Sequence, residues 1–420
     1  MKKCLITFLV AFTALAQMCY SADLIVNESG TTGTYSTLSA ALAAADTGDR
    51  ILIDPYLEVD GDTLSFSISI QSLVPDNQVS VTSPIYIIPI ANQQIELIGL
   101  SALSISTITT GANATASSPA VVNVVDCELG SISLTNAFIR SNILFSEVSD
   151  NAYISNGNVV GSDIHTLYFG GGSYRLPGTD YVIANKIGLI DGAVKSMQLD
   201  GINSSSDTIY FFNNRFAGEA KIMGGYTSYN AGHIYSSVIE FRNNTFIGNG
   251  VADYAECIGF RSLNSNNNVP DYYNCSLVNN IFIRLQPSTT AVGNSSNNFS
   301  AFGAASVRSS LMFGPSYVHA FKNINNSSTE YVTTSAVGAV DYETGKLLDT
   351  SLMDQGVSSS DFVDIDLTRN DYGTFGGPYS WDNYWGGSSS GRARVYNLFL
   401  PSSIWPGQNI NIKALGVHKN

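Results

Sequence analysis

Residues 237–250 read SVIEFRNNTFIGNG, an alternating strand pattern followed by Asn-Asn, one further residue and Phe. Two other stretches have the same plan: DTIYFFNNRFAGEA at 207–220 and NCSLVNNIFIRL at 274–285. A structural unit that recurs at similar spacing along the chain is the signature of a solenoid, whose coils stack on one another. The three stretches therefore predict a parallel β-helix, with a repeated hairpin turn in an antiparallel sandwich as the alternative.

The second Asn of each repeat gives the alignment. Asparagine tolerates the left-handed backbone of a tight bend, and its amide can bond to the Asn one coil away, about 4.8 Å off. The alignment predicts one column of Asn214, Asn244 and Asn280 beside stacked Phe216, Phe246 and Phe282. Period two turns further residues inward: Ile209, Phe211, Ile239, Phe241, Cys275 and Leu277. Weaker copies are predicted at Asn185-Lys-Ile187, Asn158-Val-Val160 and Asn136-Ala-Phe138.

A short helix is predicted near the start of the coils, where residues 33–55 read GTYSTLSAALAAADTGDRILIDP. Ser36 or Thr37 can cap it, and Gly48 ends it before Ile51–Ile53, the expected first strand. Its apolar face comprises Leu38, Ala41, Leu42 and Ala45. A stack of coils leaves an open apolar end, so this helix is predicted to be its lid.

Export is predicted from residues 1–21, which have two lysines, a short apolar run and small residues near their end, the layout of a secretory signal peptide. Its removal changes the net charge from −14 to −16, because both lysines leave and no acidic residue does. Such an acidic chain is a poor partner for nucleic acid or anionic membranes. No membrane span is expected in the mature protein, which we predict to be secreted or held at the cell surface.

Three cysteines remain after cleavage, Cys127, Cys257 and Cys275. An odd number does not support a disulfide framework. Buried free thiols are the favoured interpretation, and a Cys257–Cys275 bridge is the alternative.

Two motifs resemble those of known proteins. TYSTLSAALAAADTGDRILIDP at 34–55 resembles the opening segment of secreted right-handed parallel β-helix proteins of the pectate-lyase-like superfamily. DIDLTRNDYGTFGGPYS at 364–380 resembles the C-terminal motif of bacterial exported β-helix proteins. The resemblance implies an all-β, right-handed parallel β-helix with an N-terminal capping helix and a C-terminal closing segment. We expect a signal peptide at 1–21, the cap and first strand at 22–55, coils at 56–330, and C-terminal coils, closing segment and short strands at 331–420.

Catalytic residues are harder to assign. Lyases of that superfamily use calcium held by acidic residues and an Arg or Lys that removes a proton beside the substrate carboxylate. Lys186 and Arg215 share position +1 of neighbouring coils and could project together. Asp364, Asp366, Asn370 and Asp371 offer oxygen ligands for calcium, although we expect no cofactor and no metal site. Gly232-His233-Ile234 is only a fragment of the hydrolase motif, so no catalytic set is carried over.

Two long insertions follow equivalent Asn-Asn turns, at 221–236 and 251–274, and insertions of a solenoid gather on one side. Tyrosine offers a flat apolar face to a sugar ring and a hydroxyl to its edge. The insertions therefore predict a glycan site made by Tyr226, Tyr229, His233, Tyr235, Tyr254, Arg261, Tyr272 and Tyr273. Structural packing of these rings against the coils is the alternative for any single tyrosine.

Three functions remain open at this stage. The favoured one is a non-catalytic exported protein that binds a polysaccharide or cell-surface glycan, or has a structural or adhesive role. The first alternative is a polysaccharide lyase or another carbohydrate-active enzyme of the same superfamily. The second is a self-assembling fibre or sheath subunit, because coil ends can stack on one another.

Overall fold

In the computed structural model of the chain, successive coils stack on one another, as the sequence repeats predict. The predicted signal peptide at 1–21 lies outside the described residues. The structure describes residues 22–30, 33–74, 77–170, 176–190, 195–200, 208–223, 238–248, 256–261, 274–284, 290–294, 305–308, 311–313, 333–334, 338–358, 363–364, 366–385, 393–399 and 413–418.

The first sheet contains 13 strands, and all its pairings are parallel. Its strands are β1 (Asp23–Val26), β2 (Thr34–Tyr35), β3 (Arg50–Ile53), β5 (Ile68–Ser72), β8 (Gln94–Ile98), β10 (Ala120–Val125), β12 (Ile139–Leu144), β14 (Gly157–Val160), β16 (Thr179–Ile183), β19 (Thr208–Phe212), β22 (Val238–Arg242), β25 (Asn274–Val278) and β28 (Ala305–Arg308).

The second sheet is also parallel, and it faces the first across the core. It is widest at four long strands in its middle and divides into two parallel ladders of short strands beyond them. Its strands are β4 (Thr63–Leu64), β6 (Val79–Val81), β7 (Ile85–Ile87), β9 (Leu100–Thr107), β11 (Glu128–Leu134), β13 (Glu147–Ile154), β15 (Asp163–Gly170), β17 (Lys186–Ile187), β18 (Lys195–Asp200), β20 (Arg215–Ala217), β21 (Glu219–Met223), β23 (Thr245–Gly248), β24 (Glu256–Arg261), β26 (Ile281–Arg284), β27 (Thr290–Asn294), β29 (Leu311–Phe313) and β30 (Thr333–Thr334).

Few other elements are present in the described part of the chain. The one α-helix is α1 (Leu38–Ala44). Two strands pair antiparallel near the C-terminus, β31 (Ala393–Phe399) and β32 (Lys413–His418), where the sequence predicts short strands. Three single turns of 3-10 helix lie between them and the coils, at Thr350–Leu352, Gly373–Phe375 and Trp381–Asn383. The chain is therefore an all-β parallel β-helix.

The phenylalanine column is confirmed. Phe246 stacks on Phe216 and on Phe282, with ring centroids 5.0 Å and 5.1 Å apart. A second stack joins Phe211 and Phe241 at 4.5 Å. All five rings are fully buried, because parallel register places equivalent residues of adjacent coils directly opposite one another.

The two asparagines of each repeat do different work. The first, at Asn213, Asn243 and Asn279, has the left-handed backbone, with φ of 55–56°. The second bonds to the next coil: Asn214 N donates to Asn244 Oδ1 and Asn244 N to Asn280 Oδ1, both at 2.9 Å. The repeat pattern predicts the left-handed turn and the hydrogen bond to the next coil for the second asparagine alone. In the structure, the first asparagine makes the turn and the second makes the hydrogen bond.

The same ladder continues into earlier coils with smaller side chains. Asn185 N donates to Asn214 Oδ1 at 3.0 Å, and Ser162 N donates to Asn185 Oδ1 at 2.9 Å. Below these, Ser146 N donates to Ser162 Oγ and Cys127 N to Ser146 Oγ, both at 3.1 Å. The side-chain oxygen, rather than asparagine itself, is the repeated feature.

Two of the weaker repeats are therefore wrong. Asn158 faces outward on the first sheet, where its Nδ2 donates to Asn142 Oδ1 at 2.8 Å. Asn136 lies in the loop before β12 and accepts a hydrogen bond from Phe138 N. The ladder position in those coils is a serine or cysteine, which a search for asparagine misses.

The predicted lid is present, and α1 packs on the end of the core. Thr37 is its N-cap, with Oγ1 accepting from Ala40 N at 3.1 Å. Its buried residues are Leu38, Ala41 and Leu42. The expectation that Ile51–Ile53 begins the first strand is wrong, because β1 and β2 precede the helix and β1 pairs in parallel with β3.

The three described cysteines are free and buried, as the favoured interpretation predicts. Burial raises the pKa of Cys127 to about 12 and also raises the pKa of Cys275. Thiols with raised pKa values contribute little thiolate at neutral pH and are inert.

We expect Phe246→Ala to destabilise the coils by about 3–5 kcal/mol, because truncating a fully buried aromatic ring leaves a cavity between its two stacking partners. The measurement is chemical unfolding of the chain without residues 1–21. Leu103→Ala is the control, since Leu103 is 61% exposed on the outer face of β9 and should cost little. Equal losses for the two variants would contradict the core assignment.

Candidate functional site

The C-terminal residues 338–358, 363–364 and 366–385, here called the tail, lie along the column of left-handed turn residues. The side chains of these residues bind the tail backbone. Asn213 Nδ2 donates to Thr374 O at 3.0 Å, Asn243 Nδ2 donates to Asp371 O at 2.7 Å, and Asn279 Oδ1 accepts from Val357 N at 2.9 Å. The tail thus covers the side of the later coils.

Two tryptophans fix the end of the tail. Trp381 is 1% exposed and its Nε1 donates to Asn213 O, while Trp385 Nε1 donates to Ala184 O at 2.7 Å. Trp381 packs with apolar residues that face outward just before the turn, including Ile183 and Phe212. The tail therefore buries an apolar stripe that the coils alone would expose.

The two basic residues considered for a lyase do project together. Lys186 lies directly opposite Arg215 on one neighbouring strand and opposite Asp163 on the other. Lys186 Nζ lies 3.2 Å from Glu343 Oε1 and 4.8 Å from the ring centre of Trp385. Asp163, Lys186, Arg215 and Glu343 thus form an ionic cluster at the contact between the coils and the tail.

Arg215 is the most enclosed member of this cluster, with 3% of its surface exposed. Its Nε and Nη1 atoms have no hydrogen-bond partner within the described part of the chain. Burial lowers its pKa, while the negative charges of Glu343, Asp163 and Asp341 oppose that shift. Burial also raises the pKa of Asp163, against the opposing effects of Lys186 and Arg215. A cation and a carboxylate are therefore both held in a poorly solvated place.

An acidic trio lies elsewhere in the tail. Asp354, Asp364 and Asp371 each place a carboxylate oxygen within 4.8 Å of the others, a set that could hold a divalent cation. Burial raises the pKa of Asp364 to about 6 and raises that of Asp371. Repulsion among these carboxylates adds to both shifts.

The set of oxygen ligands proposed from the sequence is only partly assembled. Asp364 and Asp371 come together, but Asp366 bonds to Thr368 within its own turn and Asn370 Oδ1 accepts from Asn243 Nδ2. Asp354 was missed, because its approach depends on the fold of the tail and no sequence spacing indicates it.

Most residues of the predicted glycan site lie outside the described residues, namely Tyr226, Tyr229, His233, Tyr235, Tyr254, Tyr272 and Tyr273. The two insertions are shorter than predicted, because 221–223 and 256–261 belong to β21 and β24. Arg261 is the last residue of β24 and lies opposite Met223, the last residue of β21. The two tyrosine-rich segments therefore leave the coils at neighbouring points.

That corner is shared by five coils. The second-sheet strands β15, β18, β21, β24 and β27 are neighbours, and each ends where the chain crosses to the first sheet. The connecting segments are 171–178, 201–207, 224–237, 262–273 and 295–304. The strand ends from which these segments depart therefore lie on one side of the stack of coils.

An aromatic pair that the sequence analysis missed lies near this corner. Tyr153 and Tyr168 stack on the outer face of the second sheet, with ring centroids 4.3 Å apart and planes inclined by 13°. Tyr153 is 37% exposed. Lys195 Nζ lies 5.4 Å from the ring centre of Tyr168 and donates to Gln198 Oε1. The sequence shows that each tyrosine occupies an outward position in an alternating strand pattern. Only the register of β13 and β15 makes the two tyrosines neighbours.

One face of the pair is open. Tyr168 covers one side of the Tyr153 ring, and the residue opposite Tyr153 on the other neighbouring strand is Ser133. A serine is too small to cover a tyrosine ring at the strand spacing of about 4.8 Å. Tyr153 therefore presents an exposed ring face beside the hydroxyl of Ser133.

The fold and these surfaces define a parallel β-helix protein with a tail packed along its turns. No family model, no curated protein and no solved structure matches the chain. Among the described residues, no helix has the length and apolar character needed to cross a membrane.

We expect the tail to be held more tightly at pH 5 than at pH 7.5. A folded-state pKa of about 6 for Asp364 lies above its usual value of 3.8, so the folded protein holds the proton longer and loses stability as the pH rises between these values. Two of the three tryptophans, Trp381 and Trp385, lie in the tail and contact the coils, so the change of their fluorescence during denaturant titration follows release of the tail.

Asp364→Asn is the test variant, because it removes the titrating group and should flatten the pH dependence of the fluorescence midpoint. Asp382→Asn, at an exposed position in the tail, should leave that dependence in place. A midpoint that rises with pH in the parent protein would contradict the assignment.

Proposed function

We propose that the protein is an exported β-helix protein that binds extracellular or cell-surface glycans without cleaving them. The observation that carries the proposal is the ring of Tyr153, which is 37% exposed and stacked on Tyr168, near the corner at which the tyrosine-rich segments leave the coils. Flat rings that are held rigidly and bordered by polar groups suit a sugar, which has apolar faces and a hydroxylated edge.

The stack needs no rearrangement to bind. Both tyrosines lie on strands that are paired on each side, so their backbones are fixed and the second ring limits the rotation of the first. A preformed aromatic surface avoids part of the entropy cost of binding. A structural or adhesive role at the cell surface is compatible with the same surface, since adhesion would use the same contacts with glycans.

The resemblance to the pectate-lyase-like superfamily supports export and a carbohydrate ligand. It rests on the two terminal motifs and on the parallel coils. The predicted signal peptide supports the same localisation, and the low proportion of charged residues leaves a surface rich in hydroxyl and amide groups.

We expect the double substitution Tyr153→Ala and Tyr168→Ala to abolish or strongly reduce retention on a glycan array, because it removes the aromatic surface while leaving the inner face of both strands unchanged. Tyr56→Ala is the matched control, since Tyr56 is 86% exposed but lies in the N-terminal coils, away from the tyrosine pair. Thermal unfolding of both variants checks that the fold is kept. Undiminished binding by the double variant, or no glycan binding by the parent protein, would refute the proposal.

A polysaccharide lyase is the second candidate, and one observation favours it. Arg215 has buried donors without partners beside Lys186, an arrangement that could bind or deprotonate an acidic sugar. Against it, Arg215 is enclosed and Lys186 contacts Glu343 and Trp385 of the tail, so a polymer has little access to either.

We expect no unsaturated product when the protein is incubated with uronate polymers, with or without calcium, because the tail covers the basic pair. The measurement is ultraviolet absorbance of the reaction mixture. If a product appears with the parent protein and is lost in Arg215→Ala, with folding preserved, the protein is a lyase and the proposal of binding without cleavage is wrong.

A further inference from the structure

The outer face of the second sheet carries an uneven distribution of charge. Strands β9, β11, β13 and β15 contain four carboxylates, one histidine (His165) and no lysine or arginine. The nearest cation on the neighbouring strand is Lys195 of β18, whose Nζ lies 5.4 Å from the ring centre of Tyr168. One of the four carboxylates, Asp163, lies opposite Lys186. The other three, Glu128, Glu147 and Asp150, are exposed and form no ion pair within the described part of the chain.

Two of these carboxylates are placed unfavourably for the free protein. Glu128 and Glu147 lie directly opposite one another on adjacent parallel strands. Like charges in that position destabilise a sheet, and the apolar residue beside each one holds its strand in this register. A positively charged ligand would relieve the repulsion, whereas an acidic polymer would increase it.

The acidic groups and the tyrosine stack share one strand. β13 carries Glu147 at its start, Asp150 in its irregular middle and Tyr153 near its end, all exposed. Six residues separate Glu147 from Tyr153, which is about 20 Å along a strand. A single metal ion cannot span that distance, but an extended chain lying along β13 can contact all three residues.

The character of the face favours a sugar chain over a basic peptide. The backbone groups of β13 are already paired with β11 and β15, so a peptide could not add to the sheet here as a further strand. The other outward groups on β11 and β13 are mainly hydroxyls and amides, including Ser131, Ser133 and Asn151, and Leu103 is exposed on the neighbouring β9. A row of hydroxyl and amide groups beside an aromatic pair matches the hydroxylated edge and the apolar faces of a sugar.

We propose that this face, defined by Glu128, Glu147, Asp150, Tyr153 and Tyr168, binds a cationic glycan, namely a polymer of amino sugars with free ammonium groups. The proposal rests on the proposed glycan-binding function and adds the class of ligand. The tyrosine pair packs against a sugar ring, and the three carboxylates pair with ammonium groups further along the chain.

The test compares binding of three probes by calorimetry at mildly acidic pH, where sugar amines are protonated. The probes are an oligomer of β-1,4-linked glucosamine, the same oligomer fully N-acetylated, and an oligolysine of equal charge. We expect the parent protein to prefer the glucosamine oligomer to the acetylated one by about tenfold, as three weak ion pairs would give, and to lose this preference at high salt.

Two charge variants decide where the preference originates. Glu128→Gln, Glu147→Gln and Asp150→Asn together should remove it. The matched control combines Glu28→Gln, Glu58→Gln and Glu96→Gln, which removes the same charge from exposed positions off this face and should retain the preference. Thermal unfolding of both triple variants verifies the fold.

Other outcomes overturn the inference in distinguishable ways. Equal loss in the two triple variants would show general attraction to an acidic protein, and oligolysine binding as tightly as the glucosamine oligomer would show that no sugar is recognised. If both sugars bind equally and the tyrosine double variant loses both, the glycan-binding function stands and the preference for a cationic ligand is wrong. If neither sugar binds, both proposals fail.

Discussion

The stacking of the coils depends on one type of hydrogen bond, which is made where each coil turns from the first sheet to the second. A turn leaves the sheet ladder, so its buried backbone N–H must find another acceptor. From Cys127 to Asn244, that N–H donates to a side-chain oxygen of the following coil at 2.9–3.1 Å. Where the acceptor is asparagine, its Nδ2 also reaches back to a carbonyl of the preceding coil, as Asn244 Nδ2 does to Phe211 O. Each such asparagine therefore ties three coils together.

The ladder imposes a conformation on the residue before it, and that residue receives the tail. A left-handed backbone at Ala184, Asn213, Asn243 and Asn279 turns the chain sharply, and tail groups bind the side chains and carbonyls of this column. Docking of the tail encloses Lys186 and Arg215, which lie opposite one another on adjacent coils. The same contact that stabilises the turns therefore removes the accessibility that an exposed catalytic pair would need.

The free surfaces follow from what the tail leaves uncovered. The tail lies over the turns of later coils, while the outer face of β11, β13 and β15 bears Glu128, Glu147, Tyr153 and Tyr168 beside the corner from which the variable segments leave. Insertions gather at that corner because it is where neighbouring strands end together. A ligand bound across the tyrosine pair would thus contact a rigid sheet face close to the strand ends at that corner.

The sequence by itself determined the coil fold, the inward phenylalanines and the lid, because these depend on local periodicity and on one residue type repeated at coil spacing. It predicted the corner of the insertions for the same reason. It placed the weaker repeat at Asn185 correctly and misplaced the other two, since Ser146 and Ser162 supply a side-chain oxygen as asparagine does without resembling it.

Tertiary structure decided the rest. The pairing of Tyr153 with Tyr168, the opposition of Glu128 and Glu147, and the approach of Asp354 to Asp364 and Asp371 are contacts between residues from different coils or from distant points of the tail. The lengths of the intervening connections vary, so spacing along the chain does not reveal which side chains meet. That is fixed only when parallel register and docking of the tail bring the strands and turns together.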